Sequence, residues 1–292
     1  MRIAITGHTG FIGSELKKYF SEKGYEITGI GRNDFKRGSG HLAGKIEGHD
    51  FLINLAGAPI IKRWTRRYSR LLWTSRIETT RQLREAIGTC SNPPKAFFSA
   101  SGVDIYASGS THTESNNELS NDFLGLLCQN WEEEALKTRI SCPTYIIRTG
   151  VILGESGGAL PKMSLPFKLF VGGKIGNGKQ IISWMHIRDY ADALHMLMQT
   201  LPEKEIFNFT TPGPVSNAEF SSVLAKALNR PNFFMVPPFA LRLLFGRGAV
   251  ILLTGRKVLP ENLQKAGFTF QFPEISGALQ NLLNQPKSKV KT

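Results

Sequence analysis

Glycines at positions 7, 10 and 13, within Thr6-Gly7-His8-Thr9-Gly10-Phe11-Ile12-Gly13, are the residues of this chain whose spacing most directly implies chemistry. The apolar run Ile3-Ala4-Ile5 precedes them, and Ser14-Glu15-Leu16-Lys17-Lys18, which reads as helix, follows. A glycine turn between a strand and a helix suits a pyrophosphate. Gly7 permits the tight turn, and Gly10 lets backbone N–H groups approach the phosphates. Gly13 lets the helix pack on the strand with its positive end toward them. Thr9, Phe11 and Ile12 complete this dinucleotide turn. About 20 residues further on, NAD-specific sites carry an Asp or Glu for the ribose 2′-hydroxyl. Here the corresponding strand is followed by Gly31-Arg32-Asn33. Arg32 can bind a 2′-phosphate through charge-assisted bonds, and Asn33 can add a donor. Lys36 and Arg37 enlarge the positive field; Asp34, two residues beyond Arg32, pulls the other way. The cofactor expected is NADP(H), with NAD the disfavoured alternative.

The elements that must hold this turn follow from periodicity. Short, nearly continuous apolar runs predict strands over 2–6, 26–30, 50–55, 96–99, 144–148 and 206–210. Helical spacing predicts helices over 13–23, 66–87, 119–137, 186–198 and 217–228. Such alternation implies an α/β fold with a doubly wound parallel sheet. From about residue 153 glycine thickens, as in Gly157-Gly158 and Gly172-Gly173. The expected organisation is a nucleotide-binding Rossmann domain over 1–245 with substrate-lobe segments inserted near 153–183 and 212–245. A small helical region over 246–286 and a disordered tail over 287–292 complete it.

Bulk properties exclude several classes. No apolar run approaches the roughly 18 residues of a membrane span, and the start turns glycine-rich too early for a signal peptide. Cys90, Cys128 and Cys142 are odd in number and widely spaced, which argues against a disulfide framework or zinc site and suits a reducing, cytoplasmic setting. No metal is expected. The net charge of +13 owes much to eight Lys and Arg between Lys62 and Arg84 and to a lysine-rich tail. No nucleic-acid module accompanies that charge, so its expected use is a basic rim for an anionic cofactor or substrate. Neither nucleic acid nor membrane is expected as a partner; a homodimer is left open.

With T-G-x-x-G-F-I-G at the N-terminus and Asn54-Leu55-Ala56-Gly57 as an N-x-A-G stretch, the chain resembles the extended or atypical short-chain dehydrogenase/reductase superfamily. More narrowly it resembles the epimerase-family group of NAD(P)-binding proteins. That likeness rests on Ala58-Pro59-Ile60, Ser75-Arg76…Thr79-Thr80, Ser99-Ala100-Ser101, Trp131-Glu132, Arg148-Thr149-Gly150, Ser183-Trp184-Met185-His186-Ile187-Arg188-Asp189 and Val258-Leu259-Pro260…Gly267-Phe268. It covers essentially the whole chain. Leu55, Ala56 and Gly57 end a strand where small residues let a nucleoside lie on backbone. Ser99, Arg148 and Gly150 stand at strand ends and are also assigned to the cofactor. His186 reads either as a site residue or as a packed core histidine, and Asp189 as a first-turn helix carboxylate.

The resemblance implies catalysis by a Ser or Thr with a Tyr-x-x-x-Lys, the lysine lowering the tyrosine pKa for proton exchange while hydride moves at the nicotinamide. Ser101 fills the serine slot. The 119–137 helix holds no tyrosine: Leu126 and Asn130 occupy the slots in one register, Cys128 and Glu132 in another. Tyr19-x-x-x-Lys23 sits behind the phosphate turn and is a decoy. Tyr106 is the nearest phenol to Ser101, and these two are the catalytic candidates. Two function classes remain. One is an oxidoreductase or nucleoside-diphosphate-sugar-epimerase-like enzyme acting on an unidentified small molecule. The other is a non-catalytic NADP(H)-binding sensor or regulator.

Overall fold

Ile3 to Thr6 are all buried, so the first strand is covered on both faces, as in a parallel sheet flanked by helices. The computed structural model describes residues 1–116 and 118–284. The chain begins with β1 (Arg2–Thr6), α1 (Phe11–Glu22), β2 (Glu26–Ile30), α2 (Arg32–Lys36), α3 (Ser39–Ile46), β3 (Phe51–Asn54) and α4 (Arg66–Thr89). It continues with β4 (Ala96–Gly102), the two-residue β5 (Thr111–His112), α5 (Phe123–Leu136), β6 (Thr144–Thr149), β7 (Val151–Leu153), α6 (Leu160–Lys168) and β8 (Gly173–Ile175). Then come β9 (Ile181–Ile182), β10 (Trp184–His186), α7 (Ile187–Thr200), β11 (Ile206–Phe209), β12 (Val215–Ser216) and α8 (Asn217–Leu228). The last elements are β13 (Phe234–Val236), α9 (Pro238–Phe245), α10 (Val250–Leu253), β14 (Lys257–Val258), α11 (Glu261–Lys265) and α12 (Ile275–Asn284).

Six strands form one parallel sheet in the order β11-β6-β4-β3-β1-β2. From β1 the chain passes to β2 on one side and then crosses to β3 on the other. The loops after β1 and β3 therefore diverge, opening the crevice where Rossmann-type sheets take ligands. One face is packed by Leu16 and Phe20 of α1, Leu194 and Leu197 of α7 and Leu263 of α11. The other is packed by Leu42 and Ile46 of α3, Leu83 and Ile87 of α4 and Ala135 of α5. Each of these Leu, Ile and Phe side chains contributes roughly 1.5–3 kcal/mol by leaving water. A further core gathers Trp184, Phe220, Leu224 and Leu279 under α6, α8 and α12.

The α/β, doubly wound expectation holds, and every predicted strand of the sheet is present. The helix predicted over 119–137 starts later because the Asp122 carboxylate caps it, accepting the Gly125 N–H at 2.8 Å. Leu119 instead bridges Tyr106 in antiparallel fashion. Helices α6 and α9 were not predicted. Pro161 and Pro166 lie within α6, and Pro238 opens α9, where proline suits the first turn. Helices α10, α11 and α12 lie in the stretch read as a small helical region, while the 287–292 tail falls outside the described residues. Among the described residues no helix is long and apolar enough to cross a membrane, and no group of three acidic, His or Cys side chains could hold a metal ion.

Candidate functional site

The Thr6 hydroxyl ties the two diverging loops together. It donates to Asn54 Oδ1 at 2.7 Å and accepts the N–H groups of Leu55 and Ala56, both at 3.1 Å. This fixes the glycine turn beside the β3 end. Gly7 has a φ of +66°, and a Cβ there would lie 2.7 Å from the Leu55 carbonyl oxygen. At Gly13 a Cβ would lie 2.3 Å from the Gly7 oxygen. These two glycines are dictated by the fold itself. Gly10 is different: it is exposed, extended at φ −78°, and a Cβ would meet only the Gly7 oxygen, at 3.2 Å. Gly10 caps α1 without a side-chain bond, and the first turn carries no acid. The open N-terminus of α1 is thus a cradle for an anion.

Thr9 is exposed at the tip of the turn. Phe11 and Ile12 are half-buried, and the Phe11 ring faces away from the turn. It packs on Gly154, Gly157 and Gly158, where added Cβ atoms would stand 2.5–2.8 Å from ring atoms. This glycine turn after β7 accommodates Phe11, a pairing invisible in sequence because its members lie far apart along the chain.

At the β2 tip, Arg32 and Asn33 are exposed and make no side-chain hydrogen bond or ion pair among the described residues. Asp34 is committed elsewhere. It accepts the Gly31 N–H at 2.7 Å, completing the cap of α2, and faces Lys45 Nζ at 3.1 Å and His41 Nε2 at 3.0 Å. The Gly31 bond, helped by these two groups, holds its carboxyl far below the usual range. The one carboxylate that could argue for NAD is spent on local structure. Beneath it, His8 lies over Gly29, whose missing side chain makes room for the ring, with Nδ1 at 3.3 Å from the Ile30 oxygen.

The residues expected around the β3, β4 and β6 ends divide. Leu55 and Ala56 are half-buried and Gly57 is exposed at the crevice. Ser99 is fully buried, its hydroxyl 3.4 Å from Asn54 Nδ2, so it holds β3 to β4 rather than facing a ligand. Gly150 is a packing glycine: a Cβ would lie 2.5 Å from the Ser183 oxygen. Arg148 is also placed differently from the expectation. Its guanidinium makes a bidentate pair with Glu132, at 2.9 and 2.8 Å, and donates to the Tyr106 hydroxyl at 2.8 Å.

That pair organises both catalytic candidates. Ser101 donates to Glu132 Oε1 at 2.7 Å, and Tyr106 donates to Asn208 Oδ1 at 2.8 Å. All five side chains are buried. Tyr106 stacks on His112, and Arg256 bonds the Tyr106 carbonyl while pairing with Asp104 and Asp122. Burial raises the Tyr106 pKa, outweighing Arg148. Tyr106, a catalytic candidate from the sequence, is fully buried, and its hydroxyl both donates to Asn208 and accepts from Arg148. In α5 the inward register is Cys128 and Glu132; Leu126 and Asn130 are exposed. The Cys128 thiol is pushed by burial to about 12 and is inert as a nucleophile. Tyr19 donates to Asp192 on the far side of α1, in keeping with a decoy.

Arg76, within the Ser75-Arg76 stretch, reaches the end of β3. Its guanidinium lies 3.0 Å from where a Gly57 Cβ would be, donates to the Ala58 and Leu72 carbonyls at 3.2 Å, and stacks over Trp131. Burial pulls its pKa below the usual value, opposed by the Asp104 charge, and among the described residues it forms no ion pair. His186 caps α7 through Nδ1 and stacks on Phe272, and Asp189 accepts the Gln271 and Phe272 N–H groups. Both hold the C-terminal segment. A cavity of about 350 Å³ lies between the starts of α4 and α5, lined by Trp64, Arg66, Phe123 and Arg247. It does not include the glycine turn.

The model of the NAD dependent epimerase/dehydratase family matches residues 3–209, and that of a domain of unknown function (DUF1731) matches residues 236–282. An epimerase family protein of Staphylococcus saprophyticus is 36% identical, covering 96% of this chain and 98% of its own. The Homo sapiens epimerase family protein SDR39U1 is 35% identical, covering 97% of this chain and all of its own. The crystal structure of human SDR39U1 (isoform 2) with NADPH matches with a TM-score of 0.88 at 32% identity, over 98% of this chain and 100% of that one. A nucleoside-diphosphate sugar epimerase from Corynebacterium glutamicum matches with a TM-score of 0.79 at 26% identity, over 97% of this chain and 58% of that one.

Proposed function

The chain belongs to the NAD dependent epimerase/dehydratase family, and from that premise we propose that it binds NADP(H) and acts as an oxidoreductase or nucleoside-diphosphate-sugar-epimerase-like enzyme without a Tyr-x-x-x-Lys relay. The observation that carries the cofactor choice is the exposed, unengaged Arg32 at the β2 tip, beside an Asp34 already occupied by Gly31, Lys45 and His41. The human relative solved with NADPH supports the same choice. The backbone of Thr9 to Gly13 would hold the pyrophosphate, Arg32 and Asn33 the 2′-phosphate, and Leu55 to Gly57 the nucleoside edge. When bound, the nicotinamide supplies hydride transfer.

The chain's own part in the chemistry is to orient and to exclude water. Segments 153–183 and 212–245 supply the substrate side. Arg76, against Gly57, places a cation at the mouth of the crevice. Ser101 and Tyr106 remain the relay candidates only if Ser101 leaves Glu132 and Tyr106 leaves Asn208, because both hydroxyl protons rest on these buried acceptors. That closed network favours a second reading, in which the protein holds NADP(H) as a sensor and turns nothing over. Titration with NADPH and NADH, followed by incubation of the NADPH complex with a panel of carbonyl compounds, separates the readings. Equal affinity for both cofactors overturns the assignment to NADP(H). Tight NADPH binding without consumption selects the sensor.

A further inference from the structure

Three stretches of the sequence contain no Asp or Glu: 55–77, 160–185 and 229–260, with six, four and five Lys or Arg respectively. They hold the excess that makes the chain +13. The fold brings them together. Strand β13 pairs with β8, setting Met235 opposite Lys174. Trp64 bridges Gly246, and Arg63 donates to the Leu243 carbonyl at 2.8 Å. Arg230 lies over the Phe170 ring at 4.6 Å.

This united face also turns large apolar side chains outward. Phe233 is 88% exposed, Leu243 74%, Phe239 72%, Leu244 63% and Leu169 62%. Helix α9 is Pro-Phe-Ala-Leu-Arg-Leu-Leu-Phe and has no buried residue. A helix this apolar with its Phe239, Leu243 and Leu244 side chains turned outward marks an interaction surface. Exposed Lys168, Lys174, Arg242, Arg66 and Arg67 surround it.

Against the sequence expectation of no membrane partner, we propose that this face docks on an anionic lipid bilayer, with the aromatic and leucine side chains entering the headgroup boundary and the surrounding cations meeting lipid phosphates. The charge decides the occupant. A second copy of the chain would bring two predominantly cationic faces together, Asp122 beside Arg66 and Arg247 being an acid at the edge and already paired with Arg256, and like charges oppose that contact. Nucleic acid would use the cations but gain nothing from outward Phe and Leu clusters. An anionic bilayer satisfies both halves of the surface.

The test is flotation of the full chain with vesicles of phosphatidylcholine alone, or with roughly one third phosphatidylglycerol. Two variants accompany it, F233S/F239S/L243S and K168E/K174E/R242E. All six side chains are exposed, so folding should persist, which a thermal melt and an NADPH titration check. The protein should float with anionic vesicles and not with neutral ones, and added salt should weaken the association. Each variant should lose at least tenfold in partitioning; a cation near such a surface is worth about fivefold. Four results overturn the proposal. They are no association with anionic vesicles, association unchanged in the apolar variant, a dimer lost in that variant without any vesicle binding, or a nucleic-acid shift lost only in the charge variant. Should either variant fail to fold, the neutral-against-anionic comparison with the unmodified chain still decides.

Discussion

Arg32→Ala should remove the preference for NADPH while leaving the fold intact. Arg32 is exposed in the first turn of α2 and bonds no other described side chain, so truncation removes no internal contact. Stability should stay within about 0.5 kcal/mol. A charge-assisted hydrogen bond is worth roughly 1.5–3 kcal/mol. Screening over about 8 Å at physiological salt puts an exposed guanidinium at the lower end of that range. NADPH should bind about tenfold more weakly and NADH almost unchanged. Lys36 and Arg37, both exposed, preserve part of the field and keep the loss from growing larger. Parallel calorimetric titrations of both cofactors, with a thermal melt, measure this. Asp34→Ala is the companion. It strips the cap of α2 and should lower the melting temperature without weakening NADH selectively. Equal losses of both cofactors in Arg32→Ala, or a selective loss of NADH in Asp34→Ala, would refute the reasoning.

Three further outcomes are expected. Gly10→Asp should abolish NADPH binding while the protein stays folded, since the backbone is extended and a Cβ meets only the Gly7 oxygen, at 3.2 Å, but the carboxylate would meet the pyrophosphate; retained affinity in a titration counts against the cradle. Tyr106→Phe should lower stability by about 1–3 kcal/mol, because Asn208 and Arg148 lose a buried partner, yet keep NADPH affinity within about twofold; a large loss of affinity would place the phenol at the cofactor instead. His186 gives a pH signature: burial lowers its folded pKa to about 4, against about 6.5 unfolded, so the unfolded chain binds a proton that the folded one refuses. Stability is full above the unfolded value and falls by up to about 3 kcal/mol as pH drops toward 4; His186→Asn, which keeps a capping side chain, should flatten urea midpoints between pH 7 and 4.5.

The sheet was legible because its strands are nearly continuous apolar runs, a pattern that parallel strands with two covered faces require. The glycine turn was legible because Gly7 and Gly13 answer to close backbone contacts within a short stretch of chain. Helices α6 and α9 were not, since proline inside or at the start of an apolar segment reads locally as a break. The direction of Phe11 depended on glycines beyond residue 150, and the fate of Asp34 on Lys45 and His41. Local spacing contains neither fact.

The catalytic pattern was hardest to read, for a reason rooted in charge. Sequence alone left two registers for α5, and only tertiary packing turns Cys128 and Glu132 inward. Glu132 then stands where the resemblance places a lysine, so the charge of the slot is inverted. A buried carboxylate costs several kcal/mol unless matched, and Arg148, Ser101 and, through Arg148, Tyr106 are the groups that match it. Releasing Tyr106 would leave Asn208 Oδ1 and an Arg148 N–H without this partner, whereas Glu132 keeps Arg148 on both oxygens if Ser101 turns away. Any relay through Ser101 or Tyr106 would therefore have to break the buried bonds to Glu132 and Asn208 before either proton could move.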